Sequence, residues 1–165
     1  AREPRKPAHE QQVPENTVAK SDPKKSIELY LAHHAELHLA TVTAEGRPMA
    51  HTMAYVSEGP IVWLFTSPKS RKVENIKSNT AVAYTVYCAS GGVAGLTGVQ
   101  MEGTAELVTD RETVERVMKM VFAKYPEFAV MGMNPETITI IRIDPMHGYY
   151  LDYNVSFGHR SEVTY

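Results

Sequence analysis

The chain has 165 residues, of which 43% are hydrophobic and 22% charged, enough apolar material for one domain with a single core. Its 17 basic and 19 acidic residues give a formal net charge of -2, so no domain-wide basic field attracts nucleic acid. Cys88 is the only cysteine, which excludes an internal disulfide and a multi-thiolate metal site. Because no apolar run approaches the ~20 residues that span a bilayer, we expect a cytoplasmic protein with no membrane partner.

The N-terminal region changes character after its first twenty residues. Residues 1–20 contain three prolines, many charges and almost no large apolar side chains, which predicts a disordered or arm-like tail. Ser21 or Asp22 is placed to cap a helix with Pro23 in its first turn, and apolar residues then recur at helical spacing to about Ala35. One amphipathic helix therefore opens the domain.

From Leu37 onward, short β-rich runs alternate with turns. The runs LHLATVT, MAHTMAYV and IVWLFT are separated by the turns EGRP and SEGP, which predicts a meander. The runs TAVAYTVY, VQMEGTAELV and TITIIRID follow, and GYYLDY continues in extended form. A short helix is expected within residues 70–79, and a longer one between a capping box at Thr109 and Glu112 and the helix-stopping Pro126.

This order of elements predicts the fold class. Five or six strands with short turns and few helices favour a mainly β (α+β) domain, an antiparallel barrel with flanking helices. The barrel closes or nearly closes, because closure removes exposed strand edges. We assign the domain to residues 21–153 and predict a polar C-terminal tail over residues 154–165.

The segment FTSPKSRK lies between the third strand and the short helix. Ser70 is placed to cap that helix, whose first amides are unsatisfied donors. Lys69, Arg71 and Lys72 bring positive charge to the same end. This combination predicts a phosphate site, and a solvated basic turn is the alternative interpretation.

The same region carries a resemblance to a known family. GRPMAHTMAYV, followed by VWLFTSPKSRKVENIKSNTAVAYTV, resembles the pyridoxamine 5′-phosphate oxidase-like split barrels, especially their general-stress-protein branch. EGTAELVTDRE and IRIDPMHGYYLDY resemble its later strands, so the resemblance runs from about Lys24 to Tyr153. It implies a split β-barrel that binds flavin mononucleotide (FMN) and a homodimer with two flavins in clefts between the subunits. It also implies a flavin-dependent oxidoreductase that passes electrons from a small-molecule donor, such as a reduced nicotinamide, to an unidentified acceptor.

The resemblance also implies a cofactor site, although it assigns no catalytic residue. The site draws on the second and third strands, the start of the short helix and a later strand: His51, Thr52, Met53, Phe65, Thr66, Ser70, Arg71, Lys72 and Gln100. The residues at the helix start hold the phosphate, the two that end the third strand line the ribityl chain and ring, and the three on the second strand flank the flavin. Gln100 reaches the flavin of the partner subunit or, alternatively, points into water.

This sequence departs from the family pattern at three positions. His51 stands where family members often have a phosphate-binding arginine, and it cannot form a guanidinium fork and is only partly charged near neutral pH. A weaker flavin affinity, or one that falls as pH rises, is therefore expected if His51 contacts the phosphate. A solvent-facing role is the alternative. Leu151 and Gly98 replace a tryptophan and a glutamine of the family, which argues against pyridoxamine-phosphate oxidase activity.

Three alternatives to an FMN-dependent oxidoreductase stay open. In the first, the cleft binds a deazaflavin coenzyme in place of FMN, since a similar phosphate site would serve both cofactors. In the second, the protein binds flavin or haem without turnover, with His147 and His159 as haem ligands. In the third it binds no cofactor, and the barrel only mediates assembly.

Other features of the sequence have simpler interpretations. His34 and His38 are four residues apart, a spacing that suits two metal ligands on one helical face, but no third ligand is placed and we predict no metal site. The glycines of residues 91–98 lack the dinucleotide-binding spacing and precede a strand instead of a helix. Three tyrosines near the C-terminal end either stack on a flavin ring or, as we favour, line the dimer contact: Tyr149, Tyr150 and Tyr153.

Overall fold

The structure, a computed structural model, describes residues 21–165, and the predicted N-terminal tail over residues 1–20 lies outside the described residues. In chain order the elements are α1 (Pro23–His33), β1 (Glu36–Val42), β2 (Pro48–Glu58), β3 (Ile61–Thr66), α2 (Arg71–Ser78), β4 (Ala81–Cys88), β5 (Thr97–Val108), α3 (Arg111–Lys124), α4 (Pro126–Val130), β6 (Thr139–Asp152) and β7 (Arg160–Thr164). None of the helices in this part of the chain has the length and apolarity needed to cross a membrane.

The strands form an antiparallel barrel with flanking helices, which confirms the predicted fold class. The sheet order is β3-β2-β1-β4-β5-β6-β7, and a further pairing of β3 with β6 closes the first six strands on themselves. β7 extends the sheet beyond β6. Closure satisfies the backbone groups of β3 that would otherwise form an open edge.

Helix α1 packs against the interior of the barrel. The carboxylate of Asp22 caps it by accepting a hydrogen bond from the amide of Lys24 at 3.0 Å. Ile27 and Leu31, both 0% exposed, lie in the barrel core. The Tyr55 hydroxyl on β2 donates to the carbonyl of Leu31 at 2.7 Å, so the helix is fixed to the barrel by both packing and a buried hydrogen bond.

A second, smaller core lies outside the barrel, beneath α3. Trp63 and Phe65 of β3 form one buried cluster with Val117 and Val121 of α3. β3 is therefore covered on both faces, which is why its sequence is continuously apolar where a half-buried strand would alternate.

The structure corrects the predicted start of α3. Asp110, and not Thr109, caps α3: its carboxylate accepts a hydrogen bond from the amide of Thr113 at 2.8 Å. The helix ends at Lys124, before the predicted stop at Pro126, and Pro126 begins the short helix α4. Asp and Thr both cap helices well, so two adjacent candidates in a sequence leave the start uncertain by a residue.

The end of the chain is more regular than its composition suggests. β6 is one strand of 14 residues that joins the two predicted runs through Pro145. Glu102 and Gly103 of β5 pair with His147 and Pro145, which leaves Met146 of β6 as the extra residue of a β-bulge beside the proline. Residues 154–165, which the composition marks as a tail, contain β7, and its Val163 is buried in the barrel core.

Candidate functional site

The predicted phosphate site lies in the loop that joins the end of β3 to the start of α2. A turn closes there, with the amide of Ser70 donating to the carbonyl of Ser67 at 3.1 Å. Val73 and Ile76 of α2 are each 2% exposed and belong to the barrel core. This anchoring fixes the N-terminus of α2 beside the end of β3.

Ser70 occupies the capping position of α2 but does not cap it with its side chain. Its carbonyl accepts the amide of Val73 at 3.1 Å, whereas its hydroxyl makes no capping hydrogen bond. The Oγ atom is buried and has no partner in the described part of the chain. The amides of Arg71 and Lys72 are among the first of the helix and have no intrahelical acceptor. Three hydrogen-bond donors therefore lie together at one helix end, and buried polar groups are seldom left unpaired without a reason.

Lys72 brings a partly desolvated positive charge to the same place. Its Nζ atom lies 3.4 Å from the hydroxyl oxygen of Thr66, at the end of β3. Burial, and next the charge of Arg71, lowers the pKa of Lys72. Among residues 21–165, neither Lys72 nor Arg71 forms an ion pair. Within the described residues the two cations therefore have no paired carboxylate, an arrangement that suits an anionic ligand.

His51 of β2 belongs to the same group of residues. Its Nε2 atom lies 3.0 Å from the Oγ1 atom of Thr41 on β1. Burial lowers the pKa of His51, and the charges of Lys72 and then Arg71 lower it further. The structure thus brings His51, Thr66, Ser70, Arg71 and Lys72 together, and the ring of His51 is half-buried and not freely solvated.

The other predicted site residues on β2 and β3 face elsewhere in this chain. Met53 is 8% exposed in the barrel core, and Phe65 is 9% exposed in the smaller core, where its ring lies 5.5 Å from that of Phe128. Thr52 is exposed on the outer face of the barrel, since successive strand residues point to opposite faces. It lies opposite His38 of β1.

Gln100 lies on the outer face of the barrel, away from the start of α2. It lines an open cavity of about 320 Å³ formed by outward side chains of four strands: His38, Ala40, Ala83, Thr85, Gln100, Glu102, His147 and Tyr149. None of the residues around Ser70 lines this cavity. Gln100 and the start of α2 therefore do not share this cavity.

Two positions that depart from the family pattern have structural reasons. A Cβ atom on Gly98 would lie 2.7 Å from the carbonyl oxygen of Val86, so β4 and β5 leave no room for a side chain there. Leu151 is 6% exposed and pairs with Gly98 across the sheet. A glutamine at position 98 would require these strands to move.

The histidines near the end of α1 contact backbone carbonyl groups of that helix. The Nδ1 atom of His33 lies 2.7 Å from the carbonyl of Leu29, and that of His34 lies 2.8 Å from the carbonyl of Tyr30. The His34 ring also stacks on Tyr30 with a centroid distance of 3.8 Å. Within the described residues, no group of three His, Cys, Asp or Glu side chains is arranged to hold a metal ion.

Sequence reasoning missed two members of the site, Thr41 and Asn75. Thr41 is 1% exposed, Asn75 is 7% exposed, and the amide nitrogen of Asn75 lies 2.9 Å from the Thr41 hydroxyl. A signal was present, because Thr41 continues the inward-facing series of Leu37 and Leu39 at alternate positions. A polar residue at an inward position needs a partner, and the partner here comes from α2.

Comparisons with known proteins agree with this architecture. The family model described as pyridoxamine 5′-phosphate oxidase matches residues 24–152. The conserved hypothetical protein Rv2991 of Mycobacterium tuberculosis is 26% identical, with a TM-score of 0.70, over 82% of this chain and 89% of that one. General Stress Protein 26 of Bacillus anthracis is 19% identical, with a TM-score of 0.65, over 86% of this chain and 98% of that one.

A third similar structure is HutZ, the haem storage protein of Vibrio cholerae, which is 18% identical, with a TM-score of 0.63, over 73% of this chain and 87% of that one. No curated protein matches the sequence significantly. The two structures below 25% identity show a shared fold, and the family model covers most of the domain from α1 to the end of β6. On that match, the chain belongs to the pyridoxamine 5′-phosphate oxidase family.

Proposed function

We propose that the protein binds FMN by its phosphate at the N-terminus of α2 and acts as an FMN-dependent oxidoreductase of the general-stress-protein type. The observation that carries the proposal is the convergence of three kinds of donor: the buried Ser70 hydroxyl, which has no partner within residues 21–165, the first amides of α2, and the Lys72 ammonium. Every one of these groups donates hydrogen bonds, and phosphate oxygens only accept them. Thr66, within reach of Lys72, extends the site along the end of β3 toward the ribityl chain.

We further propose that a homodimer completes the site. Met53 and Phe65 are buried in cores of their own chain. Side chains of another molecule are therefore proposed to contact the flavin ring. The outer face of β1, β4 and β5 offers small side chains and a cavity that includes Gln100. A second copy seated on this face places its Gln100 toward the cofactor held by the first.

Bound flavin supplies the chemistry by exchanging a hydride or single electrons with its substrates. The residues of this chain bind and orient the cofactor, and the proposed electron donor is a reduced nicotinamide with a small-molecule acceptor. The proposed location is the cytoplasm.

A comparison of FMN with riboflavin tests the phosphate site directly. We expect the purified protein to bind FMN with quenching of its fluorescence, to elute as a dimer, and to bind riboflavin at least ~10-fold more weakly, because riboflavin lacks the phosphate. Ser70→Ala should reduce the difference in affinity between FMN and riboflavin, because it removes one hydrogen-bond donor to the phosphate. Equal affinity for the two flavins would overturn the phosphate assignment. Binding of a deazaflavin coenzyme in preference to FMN would move that alternative to the front.

The substitution His51→Arg tests whether position 51 takes part. A guanidinium carries a permanent charge and several donors, whereas His51 has a lowered pKa and only one ring nitrogen without a hydrogen bond to residues 21–165. We expect the dissociation constant for FMN at pH 8 to fall by up to ~10-fold, less at pH 6, where more of the wild-type histidine is charged. An unchanged constant at both pH values would place His51 outside the phosphate contact.

Haem binding is a second candidate function, favoured by one observation at the outer cavity. His38 and His147 both line it, and the Nε2 atom of His147 lies 2.6 Å from a carboxylate oxygen of Glu162. A histidine that gives one ring nitrogen to a carboxylate leaves the other as a ligand, a frequent arrangement at metal centres. HutZ, which shares the fold, stores haem.

Titration with haem separates the two candidates. If the cavity binds haem, a sharp visible absorption band should grow to saturation and be lost in His147→Ala but kept in His159→Ala, because His159 does not line the cavity. Failure of haem to give such a band in the wild-type protein would remove this candidate.

A further inference from the structure

Thr41 and Asn75 are unusual among the buried residues of this protein. Apart from tyrosine and tryptophan, they are the two polar side chains that are buried within residues 21–165. They come from different elements, β1 and α2, and they meet each other and His51 of β2 at one point. Burying polar groups costs free energy unless each is hydrogen-bonded, so this small network has to satisfy itself.

The number of hydrogens fixes the direction of each hydrogen bond. The Nδ2 atom of Asn75 can only donate, so the Thr41 hydroxyl accepts at 2.9 Å. The hydroxyl keeps one hydrogen, and its other neighbour is the Nε2 atom of His51 at 3.0 Å. If that nitrogen carried a proton, Thr41 would accept twice and its own hydrogen would be left without an acceptor in a buried position, which is costly. A neutral His51 therefore accepts at Nε2 and carries its proton on Nδ1.

Burial, and next the charges around His51, favour its neutral form in the cofactor-free protein. Burial lowers its pKa, as do Lys72 and Arg71, which are the charged groups acting on it from α2. From β1 the group that faces the ring is the Thr41 hydroxyl, which does not titrate. On β2 the next residues with the same inward direction, Met49 and Met53, are uncharged.

We infer that Thr41, supported by Asn75, is a positioning residue that holds His51 in its Nδ1–H tautomer and so presents an N–H donor to a bound phosphate. This inference rests on the proposed function, since it assigns a role within the same phosphate site. The Nδ1 atom forms no hydrogen bond to the described part of the chain and is free to donate. A neutral histidine in this tautomer contributes a hydrogen bond at pH values where its charge is lost. The residue at position 51 can therefore donate a hydrogen bond to the phosphate although it is not an arginine.

The tautomer is measured first, in the cofactor-free protein, by NMR of the ring nitrogens with ¹⁵N-labelled histidine at pH 8. We expect Nδ1 of His51 to be protonated and Nε2 to show the shift of an acceptor. Thr41→Val, which is similar in shape, should release the ring to the Nε2–H form that free histidine prefers. Thr41→Ser keeps the hydroxyl and should keep the Nδ1–H form.

Asn75→Asp is a second variant that does not depend on the loss of a hydroxyl. Its carboxylate would accept the hydrogen of Thr41, which forces Thr41 to accept from Nε2–H of His51. At pH 8, where the carboxylate only accepts hydrogen bonds, the ring should then carry a proton on Nε2, with little change in side-chain volume. A wild-type protein already in the Nε2–H form, or an Asn75→Asp protein that keeps the Nδ1–H form, would overturn the inference.

The affinity for FMN is the second measurement, made on the same proteins. Thr41→Val should raise the dissociation constant about tenfold, and Thr41→Ser should stay within about twofold of the wild type. Thr104→Val is the matched control, because Thr104 is exposed on β5 and its hydroxyl donates to the Sδ atom of Met146 and to no member of this network. If the wild type binds FMN and Thr41→Val binds it equally well, the positioning role of Thr41 is overturned but the proposed function is not. No binding of FMN by the wild type overturns the proposed function, and with it the phosphate role of His51, whatever the tautomer.

Discussion

Replacing Lys72 with methionine is expected to weaken FMN binding by about 10- to 100-fold. The ammonium of Lys72 lies among the donors at the α2 N-terminus and forms no ion pair within the described residues, so a dianionic phosphate would be its natural counter-ion. A hydrogen bond to a charged group contributes ~1.5–3 kcal/mol, which corresponds to this range of affinity. Fluorescence titration with FMN measures the change directly.

Lys69→Met is the matched control for this prediction. Lys69 lies three residues earlier in the same basic segment, but its side chain is exposed, and exposed charges contribute little. We expect a loss of no more than ~3-fold at 0.15 M salt, where screening is effective beyond ~8 Å. Equal losses for the two variants would show that the segment attracts FMN by its overall charge and has no specific phosphate site at Lys72.

Riboflavin separates a lost phosphate contact from a distorted site. Lys72→Met should leave the affinity for riboflavin nearly unchanged, because the phosphate-free flavin makes no contact that needs the ammonium. The wild-type affinity for FMN should also fall at strongly alkaline pH, since burial and Arg71 lower the pKa of Lys72 and the ammonium loses its proton as pH rises through that pKa. A variant that loses both flavins equally would mean that Lys72 supports the fold and not the phosphate.

The local part of this site was predictable from the sequence, and the long-range part was not. Ser70, Arg71 and Lys72 are neighbours in the chain, so a turn followed by a helix start is enough to bring their donors together. Thr41 and Asn75 are 34 residues apart, and their contact exists because α2 crosses the strand that carries Thr41. A sequence shows which positions are polar and inward, but it does not show which partner will arrive from another element.

The same distinction explains the outcome for the fold. The apolar run IVWLFT and the turn residues on both sides of it placed β3 at its observed bounds. β7 escaped prediction because its five residues, RSEVT, are mostly polar and form a strand through pairing with β6. The prediction divided β6 at Pro145 because proline is rare inside strands, whereas β6 continues through it with a bulge of its own at Met146. Local propensity is a weak guide where a neighbouring strand decides.

The stability of the barrel should depend strongly on Leu31 of α1. Leu31 is 0% exposed in the barrel core, and its carbonyl accepts the hydroxyl of Tyr55 at 2.7 Å. Truncation to alanine removes apolar contacts and leaves a cavity next to a buried hydrogen bond, so we expect Leu31→Ala to lower the free energy of unfolding by ~2–5 kcal/mol. Denaturant unfolding followed by circular dichroism measures the loss.

Leu29→Ala on the same helix makes the matched control, because Leu29 is 51% exposed and the substitution preserves helix propensity. Its effect should stay below ~1 kcal/mol, since surface substitutions seldom cost more. If α1 were a loosely attached arm, Leu31→Ala and Leu29→Ala would cost the same small amount. A large difference between them requires that α1 is part of the barrel core. A helix anchored in this way packs against β2 from inside the barrel, and β2 is the strand that carries His51.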